Sequence, residues 1–297
     1  MERSVVLLLL LLAEHSGGAY TSPEGAAAAG WAPPPLTAWS HLRIIGGREA
    51  KPHSRPYMVS VQSKGVHVCG GALLNPRWVL TAAHCVPPSA DVSRMTVVAG
   101  LHRLQESRDT QSFAIRTACP HPGYDRGTME DDLLLLQLEK KVTRSKKHRA
   151  IALLRREPAA GTVCSLAGWG GQRGLAAALR ELDVAVLDMR MCNNSRFWNG
   201  ELTPTMICFQ AQSRGEAPTK GDSGGPLVCG RPAAVAGVVS FSGPRAADPF
   251  KPPVAASVVK HHAWIRRTLR RGCVDGAAPD AYTGQSLSPV TKQPGPR

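Results

Sequence analysis

Lys220-Gly221-Asp222-Ser223-Gly224-Gly225-Pro226-Leu227-Val228-Cys229 is the stretch on which the reading of this 297-residue chain turns. A serine between glycines, preceded by an acid and followed by proline and an apolar run, suits an exposed nucleophile on a tight turn that leads into a strand. Glycines remove the Cβ obstacle, so backbone N–H groups can converge on one point. Convergent donors are what a developing oxyanion needs. Alone, the same run could be a plain turn between strands.

Working outward, two upstream segments supply what a serine nucleophile lacks. Trp78-Val79-Leu80-Thr81-Ala82-Ala83-His84-Cys85 ends an apolar segment in a histidine beside a cysteine that can pin it. Asp131-Asp132-Leu133-Leu134-Leu135-Leu136-Gln137-Leu138 sets an acid at the mouth of a strand-like run. The order His84, Asp132, Ser223 is one of three known triad orders, distinct from those of subtilisin and the α/β-hydrolases.

The texture between these segments bears on the fold class. Short apolar runs (Met58–Val61, Val66–Val68, Ala72–Leu74, Val79–Ala83, Met95–Ala99) alternate with Gly, Pro, Asn and Ser. The second half repeats this in Val163–Ala167, Leu182–Leu187, Leu227–Val228 and Ala233–Phe241. Frequent turns between short strands indicate an all-β barrel or sandwich rather than βαβ units. Val254–Leu269 changes period and predicts a terminal amphipathic helix.

At the N-terminus a short charged start precedes apolar Val5–Ala13, which reads as a signal peptide spanning residues 1–19, with several small-residue exits. Residues 20–43 are rich in Ala, Gly and Pro and read as a disordered propeptide ending at Arg43. Residues 44–272 then form the folded domain and residues 273–297 a loose tail. No segment reaches the roughly 18 apolar residues of a membrane-spanning helix, so a soluble mature protein is expected.

Ile44-Ile45-Gly46-Gly47, Thr81–Cys85, Asp132–Leu138, Ala167-Gly168-Trp169-Gly170 and Gly221–Pro226 resemble the chymotrypsin-family serine proteases. Pro52-His53-Ser54-Arg55-Pro56-Tyr57-Met58, Met191–Gly200 and Phe250–Ala255 narrow the likeness to the granule proteases of leukocytes and mast cells. The resemblance implies two six-stranded antiparallel β-barrels with a C-terminal helix. It implies that Ser223 attacks, His84 is its base, Asp132 orients His84, and the N–H groups of Gly221 and Ser223 hold the oxyanion. It also implies activation by cleavage after Arg43, so that the new Ile44 amine pairs with Asp222. Asp131 stands where many relatives have asparagine and is expected to face solvent.

The resemblance places Ala217 at the base of the primary substrate pocket, with Pro218, Ser240, Phe241, Ser242 and Pro253 around it. Alanine offers no buried counter-charge, so the pocket should favour methionine or leucine over lysine or arginine. Disulfides Cys69–Cys85, Cys164–Cys229 and Cys192–Cys208 are implied in the same way. Cys119 and Cys273 stay open: paired together, paired with another chain, or free. Thr219 and Ala246 stand where relatives carry a further bridge. The long propeptide ending in arginine implies either a trypsin-like activator or an inauthentic N-terminal stretch.

Net charge is +14 with 43% hydrophobic residues and eight cysteines. Such charge draws polyanions; the cysteines fit an oxidising compartment. The expected partners are protein substrates, an acidic granule proteoglycan and serpin-type inhibitors, with no specific nucleic acid and a monomeric state. Lys140–Arg149 is the expected polyanion contact. A secreted protein stored in cytolytic granules is implied. Asn193-Asn194-Ser195 offers a glycosylation site at Asn193. Without any Cys-x-x-Cys pair, neither a metal nor another cofactor is expected. The alternative function is a cationic granule protein that acts mainly by binding polyanions or microbial surfaces.

Overall fold

The computed structural model describes residues 42–106, 108–171, 174–245 and 247–273. The signal peptide, residues 20–41 of the expected propeptide, Ala246 and residues 274–297 lie outside them. Two short strands come first, β1 (Leu42–Ile45) and β2 (Arg48–Glu49). Six more follow: β3 (Met58–Ser63), β4 (Val66–Asn75), β5 (Trp78–Thr81), β6 (Met95–Ala99), β7 (Gln111–Pro120) and β8 (Leu134–Leu138). These six close an antiparallel barrel in the order β3-β4-β5-β8-β7-β6.

Burial explains why the strands form where they do. Leu133–Leu136 and Leu138 are wholly buried, so β8 reads as a continuous apolar run through the first barrel. β7 reads differently. Phe113 and Ile115 are buried while Ser112, Ala114 and Arg116 are exposed. That alternation marks one covered face, and the run-based reading passed over it.

After β9 (Ala152–Leu153) the second half holds β10 (Val163–Gly171), β11 (Gly174–Val186), β12 (Met206–Ala211), β13 (Ala217–Thr219), β14 (Pro226–Cys229), β15 (Ala234–Phe241) and β16 (Val254–Ser257). The order β10-β14-β15-β16-β12-β11 closes on itself through β10–β11. β2 extends the edge at β11, and β9 runs parallel to β15. The expected pair of six-stranded barrels is therefore present. A short helix, α1 (Met189–Cys192), and the terminal helix, α2 (His262–Arg271), complete the elements.

Three boundaries differ from the sequence reading. Val254–Ser257, expected as helix, is strand β16, because every residue in it is buried between β12 and β15. The helix starts only at His262. Leu42 and Arg43, expected in a disordered propeptide, lie in β1, which pairs with β13. Cys273, expected to open a loose tail, is bonded to Cys119 of β7.

That last bond settles the two cysteines left open. The implied pairs Cys69–Cys85, Cys164–Cys229 and Cys192–Cys208 are present as well. With Ile265 buried among the first barrel's apolar residues, and Trp264 and Leu269 packed beside it, α2 lies back across the half of the molecule it does not follow in sequence. Among the described residues no helix is long and apolar enough to cross a membrane.

Candidate active site

His84 sits on a single 3₁₀ turn, Ala83–Cys85, that follows β5. The Cys85 sulfur ties that turn to Cys69 of β4. The backbone N–H of His84 donates to Asp132 Oδ1 at 2.9 Å, and its ring Nδ1 lies 2.7 Å from Asp132 Oδ2. A carboxylate can only accept, so Nδ1 carries the hydrogen and Nε2 keeps its lone pair. Asp132 is completely buried.

Burial alone would raise the carboxyl pKa of Asp132. The His84 charge, the His84 ring and backbone hydrogen bonds and the Ser240 hydroxyl together bring it below the ordinary value. Burial pushes the His84 imidazole down, but the Asp132 carboxylate outweighs it and the pKa ends above its ordinary value. Ser240, expected to line the substrate pocket, donates its hydroxyl to Asp132 Oδ2.

Ser223 comes to the same place from the other barrel. Its carbonyl accepts from Gly70 N–H of β4 at 2.8 Å. Gly224 N–H donates to Val239 O, and Val239 N–H donates to Gly225 O, so the turn is held to β15 one residue from Ser240. A Cβ on Gly224 (φ +75°) would come within 2.2 Å of Thr81 Oγ1, 2.6 Å of Gly70 O and 3.1 Å of Cys85 Sγ. Only glycine allows the Ser223 turn to touch the strand end that carries His84. The Ser223 hydroxyl is partly exposed, and among the described residues it makes no hydrogen bond to His84. Catalytic hydrogen bonds in empty sites often tighten only when substrate arrives.

The flanking peptides are shaped from behind. Gly221 (φ +99°) offers its carbonyl to His67 Nε2 at 2.8 Å. His67 must donate there, so its Nδ1 accepts from the Ser60 hydroxyl, also at 2.8 Å. Burial lowers the His67 pKa, which fits a neutral ring. The N–H groups of Gly221 and Ser223 donate to no partner among the described residues. Asp222 is 2% exposed and accepts from Gly170 N–H at 3.0 Å and Thr219 N–H at 2.8 Å. Gly168 is confined by the same carboxylate, which a Cβ would meet at 2.0 Å.

His67 was missed by sequence reasoning. One histidine in an alternating strand carries no local sign of the carbonyl it holds 154 residues away.

A family model described as Trypsin matches residues 44–265. The chain belongs to the trypsin family of serine proteases. It is a serine endopeptidase, 52% identical over 236 residues to granzyme M of Rattus norvegicus and to that of Homo sapiens, covering 77% of this chain and 90% of each relative. Serine protease 57 of Mus musculus is 40% identical over 255 residues, covering 83% and 86%. The structure of neuropsin from mouse brain superimposes with a TM-score of 0.69 at 30% identity, covering 75% of this chain and 98% of that one.

In this protease the Arg43–Ile44 bond lies inside β1, which pairs Leu42 with Thr219 and Ile45 with Ala217. The segment just after it is anchored. Arg180 donates to the carbonyls of Gly46 and Gly47, and Glu216 accepts from Gly47 N–H. Ala217 and Pro218 are buried in β13. Phe241 pairs with Val254, which brings the end of β15, and with it Ser242, beside Pro253. Trp198, not expected at the site, is buried edge-on against Phe241 and donates to Pro252 O.

Of three other expectations one is overturned, and the other two acquire a structural setting. Asp131 does not face solvent; its side chain is 17% exposed and turned to His121 and His261. Asn193 is half-buried, and its amide both donates to Leu202 O and accepts from Leu202 N–H. In Lys140–Arg149 most of the basic residues are exposed, but Lys147 is engaged with Asp109.

Proposed function

We propose that this protease is stored in cytotoxic-lymphocyte granules, is switched on by cleavage after Arg43, and cleaves protein substrates after methionine or leucine, contributing to target-cell killing. The observation that carries the chemistry is the buried Asp132 bonded to His84 on one side and Ser240 on the other, with the Ser223 turn held one residue from Ser240.

On this reading His84 Nε2 takes the Ser223 proton as Oγ attacks the scissile carbonyl. It then returns that proton to the leaving amine. Asp132 holds the Nδ1–H tautomer and stabilises the imidazolium. The unoccupied N–H groups of Gly221 and Ser223 receive the oxyanion. Cleavage after Arg43 frees an Ile44 ammonium, and pairing it with Asp222 compensates the burial of both charges.

The granule setting rests on the likeness to granzyme M, and the Met/Leu preference on a buried Ala217 with no carboxylate in its place. Peptide panels ending in Met, Leu, Phe and Arg at the cleaved position, read on protein cut after Arg43 with Ser223→Ala as control, test it. Turnover should be greatest for Met and Leu; a preference for Arg overturns the pocket reading.

One observation supports polyanion binding as a second activity. Lys260, His262, Arg266, Arg267, Arg270 and Arg271 line one groove on α2, and among the described residues none of them forms an ion pair. The acidic proteoglycan partner is better matched there than at Lys140–Arg149.

A further inference from the structure

His121, Asp131 and His261 converge from three separate segments: the loop after β7, the turn before β8 and the turn before α2. His261 Nε2 lies 2.7 Å from Asp131 Oδ1, and His121 Nδ1 lies 3.2 Å from Asp131 Oδ2. The two imidazole rings meet edge to face at 4.7 Å. One ligand-type atom from each residue falls within 4.8 Å of the other two.

Accounting for the hydrogens shows what these atoms offer. His261 Nδ1 faces the Ser257 carbonyl and must donate to it. Its Nε2, bonded to Asp131 Oδ1 at 2.7 Å, is then the ring atom left for an ion once its own hydrogen is released. His121 Nδ1 receives the Gly123 N–H at 3.1 Å, so its one lone pair is shared with that donor, which an ion would have to displace. Binding of an ion here would therefore release protons from the cluster. Two imidazoles and a carboxylate are a ligand set suited to a borderline divalent ion.

The spacing fits as well. Zinc–nitrogen distances of about 2.0–2.1 Å put tetrahedral ligand atoms roughly 3.3 Å apart. The Ser257 carbonyl supplies the outer hydrogen bond that orients a ligating histidine. Gly123 leaves room for the carboxylate, which a Cβ would meet at 2.5 Å. Side-chain exposures of 15% at His121 and 17% at Asp131 leave an entry path.

We infer that His121, Asp131 and His261 bind a zinc-class divalent cation, and that occupancy slows the protease through the adjoining Asp132. The second half of this statement rests on the role proposed above for Asp132. The route is short. Asp131 holds a left-handed backbone (φ +51°), rare outside glycine, and its carbonyl accepts from Leu133 N–H at 2.7 Å in a tight turn around Asp132. Ligands closing on an ion rotate that turn and so the carboxylate that orients His84.

Among the described residues the other histidine cluster with metal-ligand spacing, Cys69, His84 and Cys85, has both sulfurs in a disulfide and keeps only His84 as a ligand. That distinction supplies the control. Zinc binding is measured on the chelator-stripped full chain by competition with a chromophoric chelator, and inhibition by zinc is measured on protein cut after Arg43.

One zinc per chain is expected. Asp131→Asn, which keeps the shape and an acceptor oxygen, and His121→Ala should each weaken binding at least about tenfold and shift inhibition in parallel. Absence of stoichiometric binding, or binding untouched by both substitutions, overturns the site. Inhibition that survives both places the ion at His84 and also overturns it. Stoichiometric binding at the site without any fall in kcat/KM overturns the coupling to Asp132. A protein that cleaves no peptide defeats the proposed function instead, and the binding measurement still decides the site.

Discussion

In the first barrel the candidate site residues sit on short, buried supports. His84 lies on one turn beside a disulfide, and Asp132 lies at the mouth of a wholly buried strand. In the second barrel Ser223 rides on a glycine-rich turn whose peptides are held by partners elsewhere in the chain. These are Gly70, His67 and Ser60 of the first barrel, and Thr219, Gly170 and Val239 of the second. Thr219 itself belongs to the strand that β1 still occupies while the chain is uncut. One half therefore holds its candidate residues in the frame of the fold, and the other holds Ser223 in a turn whose support, β13, pairs with the proposed cleavage segment. The proposed cleavage after Arg43 would therefore act first on the second half.

The sharpest way to test that division is to remove each half's contribution. Ser223→Ala should cut kcat by about 10⁶, the magnitude known for the triad serine of a serine protease, with thermal unfolding unchanged. A loss of only a few-fold would mean that Ser223 is not the nucleophile. Next in size is the link between the halves at the chain's end. Replacing Cys119 and Cys273 by serine should lower stability by about 2–5 kcal/mol, read as a fall in denaturant midpoint. Full stability in the double variant would show that α2 needs no tether.

Smaller effects probe the shared carboxylate. Ser240→Ala removes one donor to a buried anion, worth about 1.5–3 kcal/mol, and should lower kcat/KM roughly 10- to 100-fold. Because His84 must be neutral to accept a proton and its pKa is raised, activity should fall on acidification at a pH above the ordinary histidine value of about 6.5. Asp132→Asn should move that acidic limb downward, since burial and the Arg126 charge, both lowering, then remain. An unmoved limb would exclude His84 as the titrating base.

The mildest change concerns Thr219, whose buried hydroxyl has no hydrogen-bond partner among the described residues. Thr219→Val should be neutral or stabilising by about 1 kcal/mol in thermal melts. A marked loss would reveal a partner for that oxygen.

How much of this could be read from the chain follows the range of the interactions. Ser223, His84 and Asp132 each carry local context: glycines, a neighbouring half-cystine, an apolar run. They could be singled out as candidates because their settings are nearest neighbours in sequence. His67 and Ser240 act on groups 154 and 108 residues away, with nothing beside them to betray it. Cys119 and Cys273 were undecided because cysteine spacing cannot assign connectivity. Asp131 was misplaced for the same reason: a pair of histidines, one 130 residues downstream, turns it inward. Val254–Ser257 imitated a helix because four buried residues in a row obey neither period.

The position of α2 bears on how the molecule is made. A chain emerging from the ribosome completes β3–β8 long before the residues that cover them exist. Until Ile265 and Cys273 arrive, the newborn first half carries a bare apolar face and a lone thiol at Cys119. Truncating translation just short of the helix should therefore yield a product that clumps or forms wrong sulfur pairs, even though every residue proposed for catalysis is already present.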